Sequence, residues 1–424
     1  MTAATDFDAI NYFRSGRLVG NPFPYWDYLR DQSPVLREPH HGVFMVTGYE
    51  EAVAVFHDHA TFSSCNGVSG PFAEFPVPLV GDDISAIIEE HRDALPFSDQ
   101  LPTFDPPKHT AHRALLMRLI TPKRLNENEE FMWRLADRQI DEIHRKGECE
   151  FISEYAQPFT LLVVADLLGV PEEDHESFRA ELATNPMGVG SKDPIGHKPL
   201  EFLYDRFTAY IEDRRRNPRD DVMTGLATAT FPDGTIPDVH DVALIAGNLF
   251  AAGQETTARL LSFALQVIGE RPDLQQLLRG DRARIPNFLE ETLRMESPLK
   301  GQFRLARVGT TVGGVEIPAG STVLILPGAA NRDPRVFPHP DEFDVDRANA
   351  RQHLAFGHGI HSCAGSPLAR SEGRVSLERI LDRMTDIRIS ESAHGPAAER
   401  AYRYIPTYFL RGLEALHIEY TPVG

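Results

Sequence analysis

The stretch FGHGIHSCAG, Phe356 to Gly365, decides how this chain is read. It holds one of only three cysteines in 424 residues, set among three glycines, two histidines and a phenylalanine. The segment that follows, AGSPLARSEGRVSLERILDRM, has the apolar spacing of an amphipathic helix, which predicts the Cys363 sulfur at a helix N-terminus. Free backbone N–H groups and the positive end of the helix dipole favour a thiolate there. Gly357, Gly359 and Gly365 remove side chains on both sides, which lets the backbone approach a large flat group. A packed core cysteine needs none of this. A zinc site of His353, His358, His361 and Cys363 is a further option, although its spacing matches no familiar zinc pattern.

The rest of the chain narrows the function. A formal net charge of -19 argues against a nucleic-acid binder, which needs a basic face. Cys65, Cys149 and Cys363 form no disulfide framework, so a reducing, cytoplasmic setting is expected. The opening MTAATDFDAINYFRSG has neither a basic start nor an apolar run, so no signal peptide is expected. The most apolar windows, FTLLVVADLLGV and VALIAGNLFAAG, are too short to cross a bilayer and are interrupted by Asp166 and Asn248; they read as buried helices.

Periodicity predicts a helix-rich single domain over 1–424 with small β-sheets, the β-rich parts at about 30–60 and 305–330. SPVLREPHHGVFMVTGYE reads as a hairpin, RVGTTVGGVEIPAGSTVLIL as strands around Gly313-Gly314, and AYRYIPTYFLRGLEALHIEY as a closing strand pair. Helices are expected over NENEEFMWRLADRQIDEIHRKG and PLEFLYDRFTAYIEDRRRNP, with the longest from Asp238 to Glu270 and the next beginning at Pro272. Residues 66–104 and 184–199 are irregular, and are expected to be flexible lid or binding segments. Nothing suggests the βαβ alternation of a dinucleotide-binding domain.

FGHGIHSCAG resembles the F-x-x-G-x-x-x-C-x-G loop of the cytochrome P-450 haem-thiolate monooxygenases, most closely their soluble bacterial members. Three further matches follow in the family's order. FLEETLR holds Glu291 and Arg294, an E-x-x-R pair that Arg347 of FDVDR would complete, and flanking Phe288, Leu289 and Leu293 suggest burial. AAGQETTARLL resembles the distal-helix signature, giving Ala252, Gly253, Glu255 and Thr256. DPPKHTAHR resembles the helix that supplies His109 and Arg113 to the haem propionates, with Arg304 of FRLAR and His361 of the cysteine loop; Arg307 is expected at the surface and His358 in the loop or facing solvent.

The resemblance implies the P-450 fold, with haem b between the long distal helix and the helix after the cysteine loop. Cys363 would be the iron ligand, and Ala252, Gly253, Phe356 and Gly365 would lie against the haem. It implies insertion of one atom of O2 into a C–H bond, with Glu255 and Thr256 delivering protons. Glu255 stands where many bacterial relatives have Asp. The chain carries no flavin, nicotinamide or iron–sulfur motif, so electrons would come from a ferredoxin and its reductase. Lys108, Arg118, Lys123, Arg124, Arg370 and Arg374 are candidate docking residues. Family position assigns the substrate pocket to the 66–104 segment, Leu249, Phe250, Ala252, Leu299, Lys300, Gln302, Phe409 and Leu410, mostly apolar, which favours a terpenoid, steroid, fatty acid or aromatic. Lys300 and Gln302 would anchor an oxygen or carboxylate group or face the propionates or solvent. A monomer with no membrane contact is expected. Two alternatives remain: a peroxygenase or isomerase, whose members usually depart from the acid–Thr pair, and a non-catalytic haem-binding sensor, which needs no proton relay.

Overall fold

The computed structural model describes residues 7–72, 74–184 and 201–423. Its axis is the helix Val239–Glu270, whose apolar residues run almost all round, so it can only be stable when surrounded. It stops where Arg271 precedes Pro272, and Pro272 opens the next helix, Pro272–Gly280. Both ends match the expectation. Against it lies the helix Gln157–Leu168, ten of whose twelve residues are buried, again an apolar run on every side. Each fully buried Leu, Val or Phe contributes roughly 1.5–3 kcal/mol. Gly169, with φ 75°, ends that helix in the left-handed region.

The helix Pro122–His144 starts four residues before the sequence reading placed it. Thr121 accepts a hydrogen bond from the Arg124 N–H and Pro122 fills the first turn, a cap the periodicity alone does not show. Helix Glu201–Arg216 is as expected. Of the expected 184–199 loop, residues 185–199 lie outside the described residues. The 66–104 segment contains one helix, Ser85–His91, and single tight turns. Cys65, Ile84, Ile88 and Leu95 pack beneath it with Leu305.

The strands are β1 (Val35–Arg37), β2 (Phe44–Val46), β3 (Phe62–Ser63), β4 (Glu148–Glu150), β5 (Gln302–Ala306), β6 (Thr310–Val312), β7 (Val315–Ile317), β8 (Thr322–Ile325), β9 (Met384–Ile389) and β10 (His417–Pro422). The main sheet runs β1-β2-β8-β5-β3, parallel only between β2 and β8. Its residues alternate between two cores: Phe44, Val46, Val323 and Ile325 face one, Met45, Phe303 and Leu324 the other. The expected closing strand pair is only half formed. Residues 401–413 make isolated bridges, Tyr404 with Leu413 and Leu410 with Leu299, while β10 pairs instead with β4 and β9. Pro406 has no N–H to give to a ladder, which stops the pairing there.

Glu291, Arg294 and Arg347 are buried as expected. The Arg294 guanidinium donates two 2.8 Å bonds to the Glu291 carboxylate and others to the carbonyls of Asn331, Pro340 and Glu342. Arg347 donates to Glu291 at 3.0 Å and to the carbonyls of Pro338, His339 and Glu342. Among the described residues no helix is long and apolar enough to cross a membrane.

Candidate active site

The cysteine loop turns back on itself, the Cys363 N–H donating to the Phe356 carbonyl at 2.8 Å, and then enters the helix Ser366–Arg383. Cys65 and Cys149 are buried and Cys363 is exposed. Burial nevertheless pushes the Cys363 thiol up, with the Gly365 N–H, Arg113, Arg370 and the Ser366 N–H acting in the opposite direction. The sulfur is thus crowded by its surroundings and still reachable. The glycines divide their tasks. Gly359, at φ 69°, would put a Cβ 2.3 Å from the Phe56 carbonyl, so its bareness serves packing on the helix Tyr49–His57. Gly357 faces the Gln302 side chain. Only at Gly365 would a Cβ meet nothing but the Cys363 sulfur, at 3.9 Å, so open space beside the thiol is kept there and not by all three.

Between the buried runs of the long helix lies a part-exposed window at Ala251–Thr256, and Ala252 is the exposed residue within that window. Gly253 is required because a Cβ would come within 2.9 Å of Val164. Thr256 Oγ1 donates to the Ala252 carbonyl at 2.8 Å, and Glu255 pairs with the buried Arg259 one turn on. Both side chains are thus held by the helix that carries them.

A third element is a wall of cationic and imidazole groups. The rings of His109 and His361 lie 4.2 Å apart; His109 Nε2 is buried with no partner, and His361 Nε2 meets Ser64 Oγ at 3.0 Å. Arg304 is buried, with one bond to the Phe303 carbonyl at 2.7 Å, and Arg113 donates to the Ser362 carbonyl at 2.7 Å. Burial, then Arg304 and His109, hold His361 at about 2; burial, then Arg113, hold His109 at about 4; burial brings Arg304 down to about 10. The neighbouring carboxylate, Asp105, is already engaged by Ser63, Ser64, Arg92 and Arg307. Arg307 is therefore not the surface residue expected: it is bound to Asp105 at 2.6 Å. Such a wall has donors in excess and fits a group carrying carboxylates.

Of the pocket candidates, Phe250 is a core residue, its ring 5.4 Å from Phe178 and 6.1 Å from Phe207. Leu249 is buried. The bridge between Leu299 and Leu410, and the Lys300 N–H bond to the Phe409 carbonyl, bring these four candidates together. His358 caps Gly359 and packs on His57. Of the docking candidates, Lys108, Arg118 and Lys123 are exposed, but Arg124, Arg370 and Arg374 turn to Leu167, Glu290 and Glu129.

Sequence reasoning missed two groups. Burial would raise the Glu290 carboxyl, but hydrogen bonds from His353 and Arg370 outweigh it and hold it at about 2, tying the cysteine helix to the helix Ile285–Met295. Glu290 sits beside Glu291 in FLEETLR, and only the buried face distinguishes their roles. Glu372 is fully buried with both oxygens outside hydrogen-bond geometry; burial pushes it well above the usual carboxylate range, and Thr257 only partly offsets this.

The model for cytochrome P450 matches residues 197–386. The chain is 31% identical over 433 residues to Cytochrome P450 144 of Mycobacterium tuberculosis, covering 99% of this chain and 92% of the relative. It belongs to the cytochrome P450 family. A solved P450, CYP150A6 of Mycobacterium marinum in the substrate-free form, superposes with a TM-score of 0.94 at 58% identity, covering 99% of this chain and all of the other. The 6-deoxyerythronolide B hydroxylase of Saccharopolyspora erythraea is 31% identical over 92% of this chain and 94% of its own. This P450 is accordingly a haem b monooxygenase of single-domain P450 fold, with a redox partner and a small-molecule substrate. The orphaned His109 nitrogen, the buried Arg304 with no carboxylate bound to it and the open ground at Gly365 fit that haem.

Proposed function

We propose that this P450, one domain over 1–424, hydroxylates a small hydrophobic substrate as a cytoplasmic monomer fed by a ferredoxin and its reductase. The single observation that carries the site assignment is the pairing of an accessible Cys363 with a buried wall of donors whose neighbouring carboxylate, Asp105, is already engaged elsewhere. Cys363 would ligate the iron, and His109, Arg113, Arg304 and His361 would receive the two propionates. When bound, the haem supplies the activation of dioxygen, one atom entering a C–H bond and the other leaving as water.

The protein's own contribution is binding, orientation and proton handling. Ala252 and Gly253 keep the window in the long helix low, Phe356 and Gly365 border the sulfur, and Leu299, Gln302, Phe409 and Leu410 would contact substrate. Thr256 Oγ1 would move a proton by rotating off the Ala252 carbonyl, and Glu255 Oε1 would supply it by leaving Arg259. The retained acid–Thr pair supports this over a peroxygenase, isomerase or sensor, and the hydroxylase among the relatives supports the reaction type. Exposed Lys108, Arg118 and Lys123 would receive an acidic ferredoxin.

The test is spectroscopic and then chemical. Reduced protein with carbon monoxide should show the red-shifted Soret band of thiolate-bound haem, and Cys363→Ala should lose it; an unchanged band would refute the ligand. A screen of hydrophobic compounds for spin-state shifts, followed by turnover with ferredoxin and reductase, should yield a hydroxylated product. Product formed with peroxide alone at the same rate would favour the peroxygenase.

A further inference from the structure

Lys300 is left over when the buried charges are paired. Arg411 is bound to Glu296, with one contact at 3.2 Å, and Arg259 to Glu255. Lys300, only 4% exposed, has one side-chain bond, from Nζ to the Thr407 carbonyl at 2.8 Å, although an ammonium carries three donors. Burial, then Arg411 and Arg259, bring it down to about 8, so it is a cation near neutrality with like charges around it. A buried cation without a counter-ion is costly unless something supplies one.

Against Lys300 lies a cavity of about 130 Å³, walled by Tyr12, Phe13, Pro406, Thr407 and Tyr408. Tyr12 is buried, its hydroxyl beside the Trp26 indole. Arg14, exposed, also borders the cavity, and none of the residues lining it is Asp or Glu. None belongs to the haem wall, the cysteine loop or the window in the long helix.

We infer that this cavity is a second small-molecule site, binding a monocarboxylate of about benzoate size. A carboxylate oxygen accepts from Lys300 Nζ, and the apolar body lies on the rings of Phe13 and Tyr408. Lys300 is the one buried cation of the lining, Arg14 being exposed, and so matches a single negative charge; the aromatic walls match a flat or short apolar body. The proposed site shares no lining residue with the haem wall, so its occupancy is read separately from the haem.

Calorimetric titration of the haem-loaded protein with benzoate and with benzamide, its neutral counterpart, tests this. Benzoate should bind at least about tenfold more tightly, and Lys300→Met should remove the difference. Val19→Phe, which narrows the cavity while keeping Lys300, should weaken benzoate by about tenfold or more. Should Lys300→Met fail to accumulate, the wild-type comparison and Val19→Phe still decide. Equal affinity for the two ligands, a preference that survives in Lys300→Met, or a spin-state shift of the haem that tracks benzoate saturation would each overturn the site.

Discussion

Around Glu291 the buried charges are paired to completion, whereas around Arg304 they are not. Glu291, Arg294 and Arg347 have met one another and six backbone carbonyl contacts, so no donor asks for anything from outside. Arg304, His109 and Arg113 are left with two carbonyls between them and an orphan imidazole nitrogen. Both regions are expensive to desolvate. The difference separates a framework from a receptacle: the first is finished by folding, the second keeps donors to spare, as the proposed haem site requires.

Breaking the finished region should cost most. Glu291→Ala leaves two arginines buried without a counter-ion, a loss of roughly 3–5 kcal/mol, a large part of a typical total stability. Little soluble holoprotein should be recovered, and normal yield with normal haem content would erase the contrast. In the unfinished region Arg304→Leu should spare the fold and loosen the haem. A charge-assisted bond of about 1.5–3 kcal/mol corresponds to roughly ten- to hundredfold faster haem transfer to apomyoglobin.

Glu372 sharpens the comparison, because it is a buried charge site that is neither paired nor receiving. Its folded-state pKa is raised above the 4.5 of an ordinary glutamate, so the folded state holds a proton that the unfolded chain releases above that pH. Its favourable proton linkage is complete below about 4.5 and fades as pH rises toward the folded value. Glu372→Gln should therefore raise stability at neutral pH and change it little near pH 4, a difference readable in urea melts at the two pH values. An equal effect at both would mean that the carboxyl is ionised in the fold. The smallest stability effect belongs to Thr256→Ala, no more than about 1 kcal/mol, since its hydroxyl bonds only the Ala252 carbonyl. Product formed per NADH oxidised should fall and hydrogen peroxide rise; unchanged coupling would remove the hydroxyl from proton delivery.

What could be read in the sequence followed from periodicity and from motifs whose partners are close along the chain. The long helix, the hairpin, the Glu291–Arg294 pair and the cysteine at a helix start are of this kind. Contacts between distant segments were not legible. Nothing in KHTAHR or FRLAR says that Asp105 will be claimed by Arg92 and Arg307, which is why Arg307 was misplaced at the surface. Phe250 looked like a pocket residue because its neighbours along the helix are, and only the Phe178 and Phe207 rings show which side it takes. The glycines of the cysteine loop share one composition and serve three surroundings, which composition cannot separate.

Gly253 and Val164 have a practical consequence for anyone reshaping this enzyme. Because a methyl group at 253 would sit 2.9 Å from a methyl at 164, the two positions behave as one locus split across two helices. A library that varies 253 alone samples mostly collisions, while one that trims 164 to Ala in the same clones frees the space first. Diversity at 253 is thus set by a fully buried residue of another helix.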